Sequence, residues 1–151
     1  MTGVVVRPFE ARDAPQLLGL MRDLARFEDY LDTFAVTEAD LRHHGLRPGA
    51  LFDAFVAEAD GDLVGMAVTY VVPWTYTMRP KLVLKELFVA EDGRGKGAGR
   101  ALMARICDHA REVGADHVAW TVMRGNTRAE AFYRALGGRP DAKWENWVLR
   151  I

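Results

Sequence analysis

Hydrophobic residues recur at helical spacing in the first third of the chain. One face collects four of them, Leu17, Leu20, Met21 and Leu24. The spacing predicts an amphipathic helix that runs to about Phe27, with Asp13 as its N-cap and Pro15 in its first turn. A second capping signal, Thr37-Glu38-Ala39-Asp40, predicts a short helix that ends at Gly45.

The middle of the chain changes to a strand-like period. The runs Phe52–Ala59 and Leu63–Val72 flank Asp60-Gly61-Asp62, and the Asp-Gly step predicts a hairpin turn because glycine accepts a positive φ. Val4–Val6 predicts an earlier strand, and Leu82–Val89 predicts the next one. The last of these runs carries two adjacent charges, Lys85 and Glu86, within an otherwise apolar strand, and such local conflicts are typical of functional sites.

The remainder of the chain alternates helices and strands. A glycine-rich turn leads into a helix that reaches Val113, and Thr127 with Glu130 resembles a capping box for a helix over Ala129–Leu136. His117–Val122 and Trp144–Arg150 predict the last two strands. The order of elements therefore predicts an α/β fold, with one mixed sheet and helices on its faces.

Composition narrows the class of protein. The 151 residues carry 20 Lys and Arg against 21 Asp and Glu, a net charge of −1. This length predicts a single domain over residues 1–151, and the charge balance argues against nucleic-acid or membrane binding. The single cysteine, Cys107, cannot form an internal disulfide, and the histidines show no ligand spacing, so we expect no metal. The first residues do not resemble a secretory signal, which predicts a cytoplasmic protein.

The glycine-rich turn, Gly93–Gly99, is the strongest chemical signal. Its glycines allow a close backbone approach, and the N–H groups at the start of the following helix favour an anion such as a diphosphate. The turn does not match a Walker phosphate-binding loop, because Gly97 stands after Gly95-Lys96 where that motif has Ser or Thr. The Gly-x-Gly-x-x-Gly/Ala pattern of dinucleotide-binding proteins fits formally from Gly93, but the acidic residue expected at the end of the next strand is missing. The alternative is a loop that only turns the chain.

Two segments resemble a known superfamily. Arg94-Gly95-Lys96-Gly97-Ala98-Gly99 matches the Arg/Gln-x-x-Gly-x-Gly/Ala signature of the GNAT N-acetyltransferases, and Asn126 with Phe132–Gly137 resembles the second half of their cofactor site. Within that superfamily, Leu24–Glu28 and Thr37–Leu41 are most similar to the spermidine/spermine (diamine) N-acetyltransferases. The resemblance covers essentially the whole chain.

The resemblance implies a GNAT-like mixed, mostly antiparallel sheet with helices on both faces, and acetyl-CoA as co-substrate. The pyrophosphate would lie on the signature loop, and the pantetheine arm would pair with the preceding strand, whose bulge would polarise the thioester carbonyl. The implied cofactor-binding residues are Leu87, Phe88, Val89, Arg94, Gly95, Lys96, Gly97, Ala98, Gly99, Arg100, Asn126, Ala129 and Tyr133.

Two residues are implied in catalysis. Tyr133 matches the general acid that protonates the departing thiolate, and a phenol with an unperturbed pKa of about 10 is protonated at neutral pH. Glu86 would take a proton from the attacking amine, directly or through water. The alternatives are a core aromatic residue for Tyr133 and a solvated or ion-paired carboxylate for Glu86.

The acceptor site is implied at the end of the first helix and on the charged strand. Phe27, Glu28, Lys85, Glu86 and Trp147 are its candidate residues. The diamine-acetylating relatives have two acids where this chain has Lys85 and Glu86, and only the second position matches. The substrate is therefore expected to be a small primary amine, either diamine-like or amino-acid-like, with Lys85 pairing the carboxylate in the second case.

Other functions remain open from the sequence. An acetyl-CoA-binding sensor or interaction module without turnover would keep the same cofactor loop, and a protein N-acetyltransferase would need an open peptide groove. The resemblance also implies a homodimer, for which Trp144 and Trp147 offer apolar surface.

Overall fold

The computed structural model describes residues 3–151, which form two compact units, one running to Trp120 and the other comprising Thr121–Ile151. The elements of the first unit are β1 (Val5–Pro8), α1 (Ala14–Phe27), α2 (Glu38–His44), β2 (Asp53–Ala59), β3 (Asp62–Val72), β4 (Lys81–Val89), α3 (Ala98–Glu112) and β5 (Val118–Ala119). The second unit contains α4 (Thr127–Ala135). The single domain predicted over residues 1–151 stays a prediction.

The described strands form one sheet in the order β1-β2-β3-β4-β5. Neighbouring strands are antiparallel except β4 and β5, which run parallel. On one face, residues of α1 and α2 pack with Val56, Met66 and Val68 in the main core cluster. On the other face, the ring of His109 in α3 contacts that of Phe55 at a centroid distance of 5.1 Å. The predicted α/β fold, a mostly antiparallel sheet with helices on both faces, is confirmed.

Local turn and cap chemistry behaves as the sequence predicts. Asp60 and Gly61 both have positive φ, 53° and 85°, and form the two-residue turn between β2 and β3. Thr37 accepts a hydrogen bond from the Asp40 N–H, while the Asp40 carboxylate accepts one from the Thr37 N–H. Gly45 ends α2 as its C-cap.

Asp13 stands at the N-cap position of α1, but its side chain does not cap that helix. Its two carboxylate oxygens accept hydrogen bonds from the Arg7 guanidinium at 2.7 and 2.9 Å, and one of them also accepts from the Glu10 N–H. Arg7 also binds Glu58 of β2 at 2.8 Å. A bidentate, charge-assisted pair is stronger than a cap bond, so this pair ties β1 to the start of α1.

Three predictions near the C-terminus are corrected. The predicted strand His117–Val122 shortens to Val118–Ala119, and within residues 3–151 the segment Trp144–Arg150 forms no strand. Strand-like composition is not sufficient, because a strand exists only where a neighbour completes its ladder. Asn126, rather than Thr127, is the N-cap of α4, since its Oδ1 accepts a hydrogen bond from the Ala129 N–H.

Candidate acyl-transfer site

The glycine-rich loop is anchored to the sheet at its start. The Ala90 N–H donates to the Val64 carbonyl at 2.8 Å, and a Cβ at Gly93 would lie only 2.7 Å from the Val64 Cβ. Gly95 and Gly97 have φ values of 76° and 79°, and a Cβ at either position would meet nothing within 4 Å. The loop therefore packs tightly against β3 at Gly93 and has open space at Gly95 and Gly97.

The loop ends on the N-terminus of α3. Gly97 is the N-cap in the left-handed region, and the Ala101 N–H is the donor that bonds back to the Gly97 carbonyl, at 3.0 Å. The N–H groups of residues 98–100 precede that first helical bond and therefore have no acceptor within the helix. Arg94, Lys96 and Arg100 are exposed around them. Helix N–H groups and nearby cations together suit an anionic ligand.

Strand β4 has an open edge that leads from the sheet to this loop. Its pairing with β5 covers Leu82 and Val83 only, and within the described residues no strand pairs with 84–89 on that side. Leu87, Phe88 and Val89, which the sequence implicates in cofactor binding, are half-buried on this stretch. An open strand edge supplies backbone donors and acceptors to an extended ligand.

A bulge in β4 changes which face its side chains occupy. Leu84 pairs with Thr69 and Glu86 pairs with Val68, so Lys85 is an extra residue on β4. Paired residues share a face, and Val68 belongs to the cluster on the α1 side. In a regular strand Leu84 and Glu86 would point to the same side. The bulge instead moves Glu86 to the α1 side and leaves Leu84 on the α3 side.

The Glu86 carboxyl is poorly solvated at this position. Its Oε2 atom is buried and has no hydrogen-bond partner among the described residues. Burial raises the pKa of Glu86 above the ordinary carboxyl value, and the negative charge of Glu28 adds to the rise, whereas Lys85 opposes it. A carboxyl group with a raised pKa is suited to accept a proton near neutral pH.

The end of α1 faces the same region. Glu28, the C-cap of α1, interacts electrostatically with Glu86, as does Tyr30, a half-buried residue that the sequence reasoning did not select. The pKa of the Tyr30 phenol is raised, mainly by burial and further by the charges of Glu86 and Glu28. The sequence feature that could have indicated Tyr30 is its place as an aromatic residue just after the predicted end of the first helix.

The other candidate acceptor residues are more exposed. Lys85 is exposed on the bulge, and Phe27, at the last position of α1, is 57% exposed. Trp147 belongs to the second unit and is 88% exposed. The structure thus associates Glu28 with Glu86, while the assignment of Phe27, Lys85 and Trp147 to a substrate stays a prediction.

The second unit holds the remaining predicted residues. Asn126 uses its Oδ1 to cap α4 at Ala129, so this oxygen already has a donor. Tyr133 is half-buried on α4, and its ring meets that of Phe132 edge-on at 5.3 Å. Its carbonyl accepts a hydrogen bond from the Gly138 N–H at 2.9 Å, which is part of the turn that ends the helix at Gly137. This turn holds the Tyr133 backbone in place.

Comparison with known proteins agrees with the geometry of the loop and the sheet. The profile of the acetyltransferase (GNAT) family matches residues 18–137. The chain belongs to the GNAT family of acetyltransferases. The predicted family is confirmed, and the protein is an acyltransferase enzyme.

Individual GNAT relatives give the extent of the similarity. A thialysine N-epsilon-acetyltransferase from Sus scrofa is 28% identical, over 97% of this chain and 91% of the relative. A Homo sapiens spermidine/spermine N(1)-acetyltransferase-like protein 1 is 28% identical over 95% of this chain, which is only 22% of that protein. An integron cassette protein from the mobile metagenome of V. cholerae shares the fold, with a TM-score of 0.82, 22% identity and coverage of 99% and 94%.

In residues 3–151 no helix has both the length and the apolar character needed to cross a bilayer. The same residues hold no cluster of three or more His, Cys, Asp or Glu side chains arranged to bind a metal ion.

Proposed function

We propose that this GNAT enzyme transfers acetyl from acetyl-CoA to a primary amine of a small molecule, by direct attack of the amine. The observation that carries the proposal is the bulge of β4. It puts a buried, unpartnered carboxyl oxygen of Glu86 on the α1 side, on a strand whose open edge leads to the anion-binding loop. The proposed proton acceptor and the open backbone edge that would bind the acetyl donor then lie on the same strand.

The residues present fit acetyl-CoA, the donor that supplies the activated acetyl group. The open space at Gly95 and Gly97 and the unpaired N–H groups at the start of α3 suit a pyrophosphate. The exposed Arg94, Lys96 and Arg100 add positive charge. We assign the extended arm of the donor to the open edge of β4. We also assign cofactor contacts to Asn126 and Ala129, from their place in the family motif.

Gly97→Val should weaken CoA binding by roughly 10- to 100-fold, because a β-branched residue held at a left-handed φ costs on the order of 1–3 kcal/mol and the loop would change shape to avoid it. Calorimetry with CoA measures the effect. Gly61→Val, which places the same residue at a positive φ in the β2–β3 turn, is the matched control and should leave the Kd for CoA unchanged. An unaltered Kd in folded Gly97→Val would remove the loop from the binding site.

The proposed chemistry uses one base and one acid. Glu86 takes a proton from the ammonium form of the substrate, since an amine is nucleophilic only when neutral. Burial favours this step because it raises the proton affinity of the carboxylate. Tyr133 gives a proton to the departing thiolate, a role assigned from its place in the family motif. The same helix supports that role, since the turn after α4 holds the Tyr133 backbone.

The substrate class is narrowed by the charges on β4 and at the end of α1. Glu28 and Glu86 together favour a positively charged amine. Lys85, exposed next to Glu86, disfavours a second positive charge and favours a carboxylate. Thialysine, the substrate in the name of several relatives, is an amino acid with both groups. We therefore propose an amino-acid-like amine ahead of a diamine or polyamine.

The decisive experiment is thiol release from acetyl-CoA with a panel of lysine-like amino acids, diamines and polyamines. We expect turnover with the amino acids to exceed that with the diamines. In Lys85→Glu the ranking should shift toward diamines by roughly fivefold to tenfold in kcat/KM, about one kcal/mol of discrimination. Lys81→Glu, at the far end of the same strand, is the matched charge control.

The outcomes of this panel separate the alternatives. CoA binding without thiol release from any amine would favour a sensor or interaction module. Release only with peptide substrates would favour a protein N-acetyltransferase. An unchanged ranking in Lys85→Glu would mean that Lys85 does not face the acceptor.

We also propose that the enzyme is a cytoplasmic homodimer. Trp144, Trp147 and Leu149 are 69%, 88% and 86% exposed, an apolar segment that a second copy would cover. The single cysteine is compatible with a reducing compartment. Light scattering at working enzyme concentration should report twice the mass of the 16.9 kDa chain, and a monomer mass would contradict the dimer.

A further inference from the structure

The α1 face of the sheet is filled on one side of Glu86. Along β3, Met66 and Val68 alternate onto this face and belong to the main core cluster, with 0% and 6% exposure. Phe88, which is paired with Met66 and lies two residues after Glu86 on β4, packs against the same cluster. Core side chains therefore close the side of Glu86 toward Phe88 to a substrate.

The same face opens on the other side of Glu86. Tyr70 is the next residue after Val68 that β3 places on the α1 face, and it is paired with Val83 of β4. Neither Tyr70 nor Val83 belongs to the core cluster, and both are half-buried, as Glu86 is. The open approach to Glu86 along this face therefore leads past Tyr70 and Val83.

The bulge of β4 brings Glu86 beside this pair. Val83 and Glu86 are three residues apart, so in a regular strand they would lie on opposite faces. The extra residue, Lys85, puts them on the same face. Tyr70 is two residues from Val68, the partner of Glu86, and is thus the diagonal neighbour of Glu86. Aromatic side chains can span the distance between diagonal neighbours.

The ring of Tyr70 has room for a ligand of this kind. Within residues 3–151 it contacts no other aromatic ring and no Lys or Arg side chain, and its hydroxyl makes no hydrogen bond. The face of an aromatic ring carries partial negative charge and attracts an ammonium group. Tyr70 thus adds an attraction for a cation beside the Glu86 carboxyl without adding a formal charge.

We propose that Tyr70 lines the acceptor site and holds the ammonium group of the substrate against the face of its ring, next to Glu86. This inference rests on the proposed function. In the proton transfer, an N–H bond of the ammonium breaks and an O–H bond forms on Glu86, which leaves a neutral amine. Tyr70 takes no proton. Because its ring attracts the charged form of the amine, it contributes to binding rather than to the attack that follows.

Tyr70→Leu tests the ring while keeping an apolar side chain. We expect the KM for the amine to rise about 5- to 30-fold, because a cation–π attraction in a partly desolvated site is lost. The kcat should change far less, and the KM for acetyl-CoA should stay at its wild-type value. Tyr70→Phe keeps the ring, so its amine KM should stay within about threefold of wild type. Tyr76→Leu, at a side chain 89% exposed on the β3–β4 loop, is the matched control and should behave as wild type.

Binding of the amine can also be followed without turnover. The chain has four tyrosines, so the ring signals of enzyme carrying ¹³C-tyrosine are few, and Tyr70→Phe identifies the signal of Tyr70 by its loss. Adding the best amine of the panel, or lysine if none is turned over, to the CoA-loaded wild type should shift this signal and leave that of Tyr76 in place. The measurement needs only the wild type and Tyr70→Phe, so it decides the question even if Tyr70→Leu does not fold.

Other results would overturn the inference. An unchanged amine KM in folded Tyr70→Leu, or a Tyr70 signal that does not move as the amine is added, would show that the ring does not contact the substrate. An equal rise in the KM for acetyl-CoA would show a structural role instead. An effect of Tyr70→Phe as large as that of Tyr70→Leu would assign it to the hydroxyl. If the wild type releases no thiol with any amine, the proposed function fails, and a Tyr70 signal that lysine does not shift would then also contradict the role of Tyr70.

Discussion

Tyr133→Phe should lower kcat by about 10²- to 10⁴-fold, the usual contribution of a general acid, and leave the Kd for CoA nearly unchanged. The substitution keeps the aromatic ring that meets Phe132 and the backbone turn at the end of α4, so the fold should persist. The substitution removes the proton that we assign to the departing thiolate. The measurement is kcat from single-turnover thiol release with saturating amine, where chemistry limits the rate.

Two comparisons make this result specific to Tyr133. Tyr76→Phe carries the same chemical change on an exposed loop and should keep the wild-type kcat. Phe132→Leu alters the aromatic neighbour without touching a proton donor, so it should change kcat much less than Tyr133→Phe does. Turnover of Tyr133→Phe at the wild-type rate would show that another group, or water, protonates the thiolate.

Glu86→Gln should lower kcat/KM for the amine by about 10²- to 10⁴-fold near neutral pH, since a general base is lost. The wild-type rate should rise with pH as Glu86 ionises, over a range above that of an ordinary carboxyl because burial raises the Glu86 pKa. The rate of the variant should not show this rise, and its activity should recover only at higher pH, where more of the amine is neutral. A wild-type pH profile retained in Glu86→Gln would exclude Glu86 as the base.

The stability of the same variant provides an independent check. The folded protein holds the Glu86 proton more tightly than the unfolded chain does, so this group stabilises the fold fully below its unfolded pKa. That contribution is lost as pH rises through the folded pKa. Gln at position 86 carries no charge at either pH. The stability of Glu86→Gln relative to wild type, measured as the difference in free energy of unfolding, should therefore be greater at pH 7 than at pH 4. Urea denaturation at the two pH values measures this difference.

Features that depend on neighbouring residues were predictable from the sequence. The Asp60-Gly61 turn needs positive φ at both positions, and the Thr37 box needs only a side chain three residues away. The signature loop belongs to this class as well, because Gly95 and Gly97 adopt left-handed conformations at the start of α3. In each case the interacting groups lie within one turn of chain, so the residue pattern contains the necessary information.

The fold class and the family also followed from the chain alone, because hydrophobic period and motif spacing are one-dimensional properties. The sheet face on which Glu86 lies could not be predicted from the sequence, because it depends on how β4 pairs with β3. A single extra residue, Lys85, moves Glu86 to the opposite face of the sheet. The electrostatic interaction of Tyr30 with Glu86 likewise depends on the tertiary structure, because the two residues are far apart in the sequence. The segment Trp144–Arg150 has the composition of a strand but no strand structure. Composition therefore determined which residues can form elements and motifs, whereas pairing between distant segments decided which face, partner and charge environment each one received.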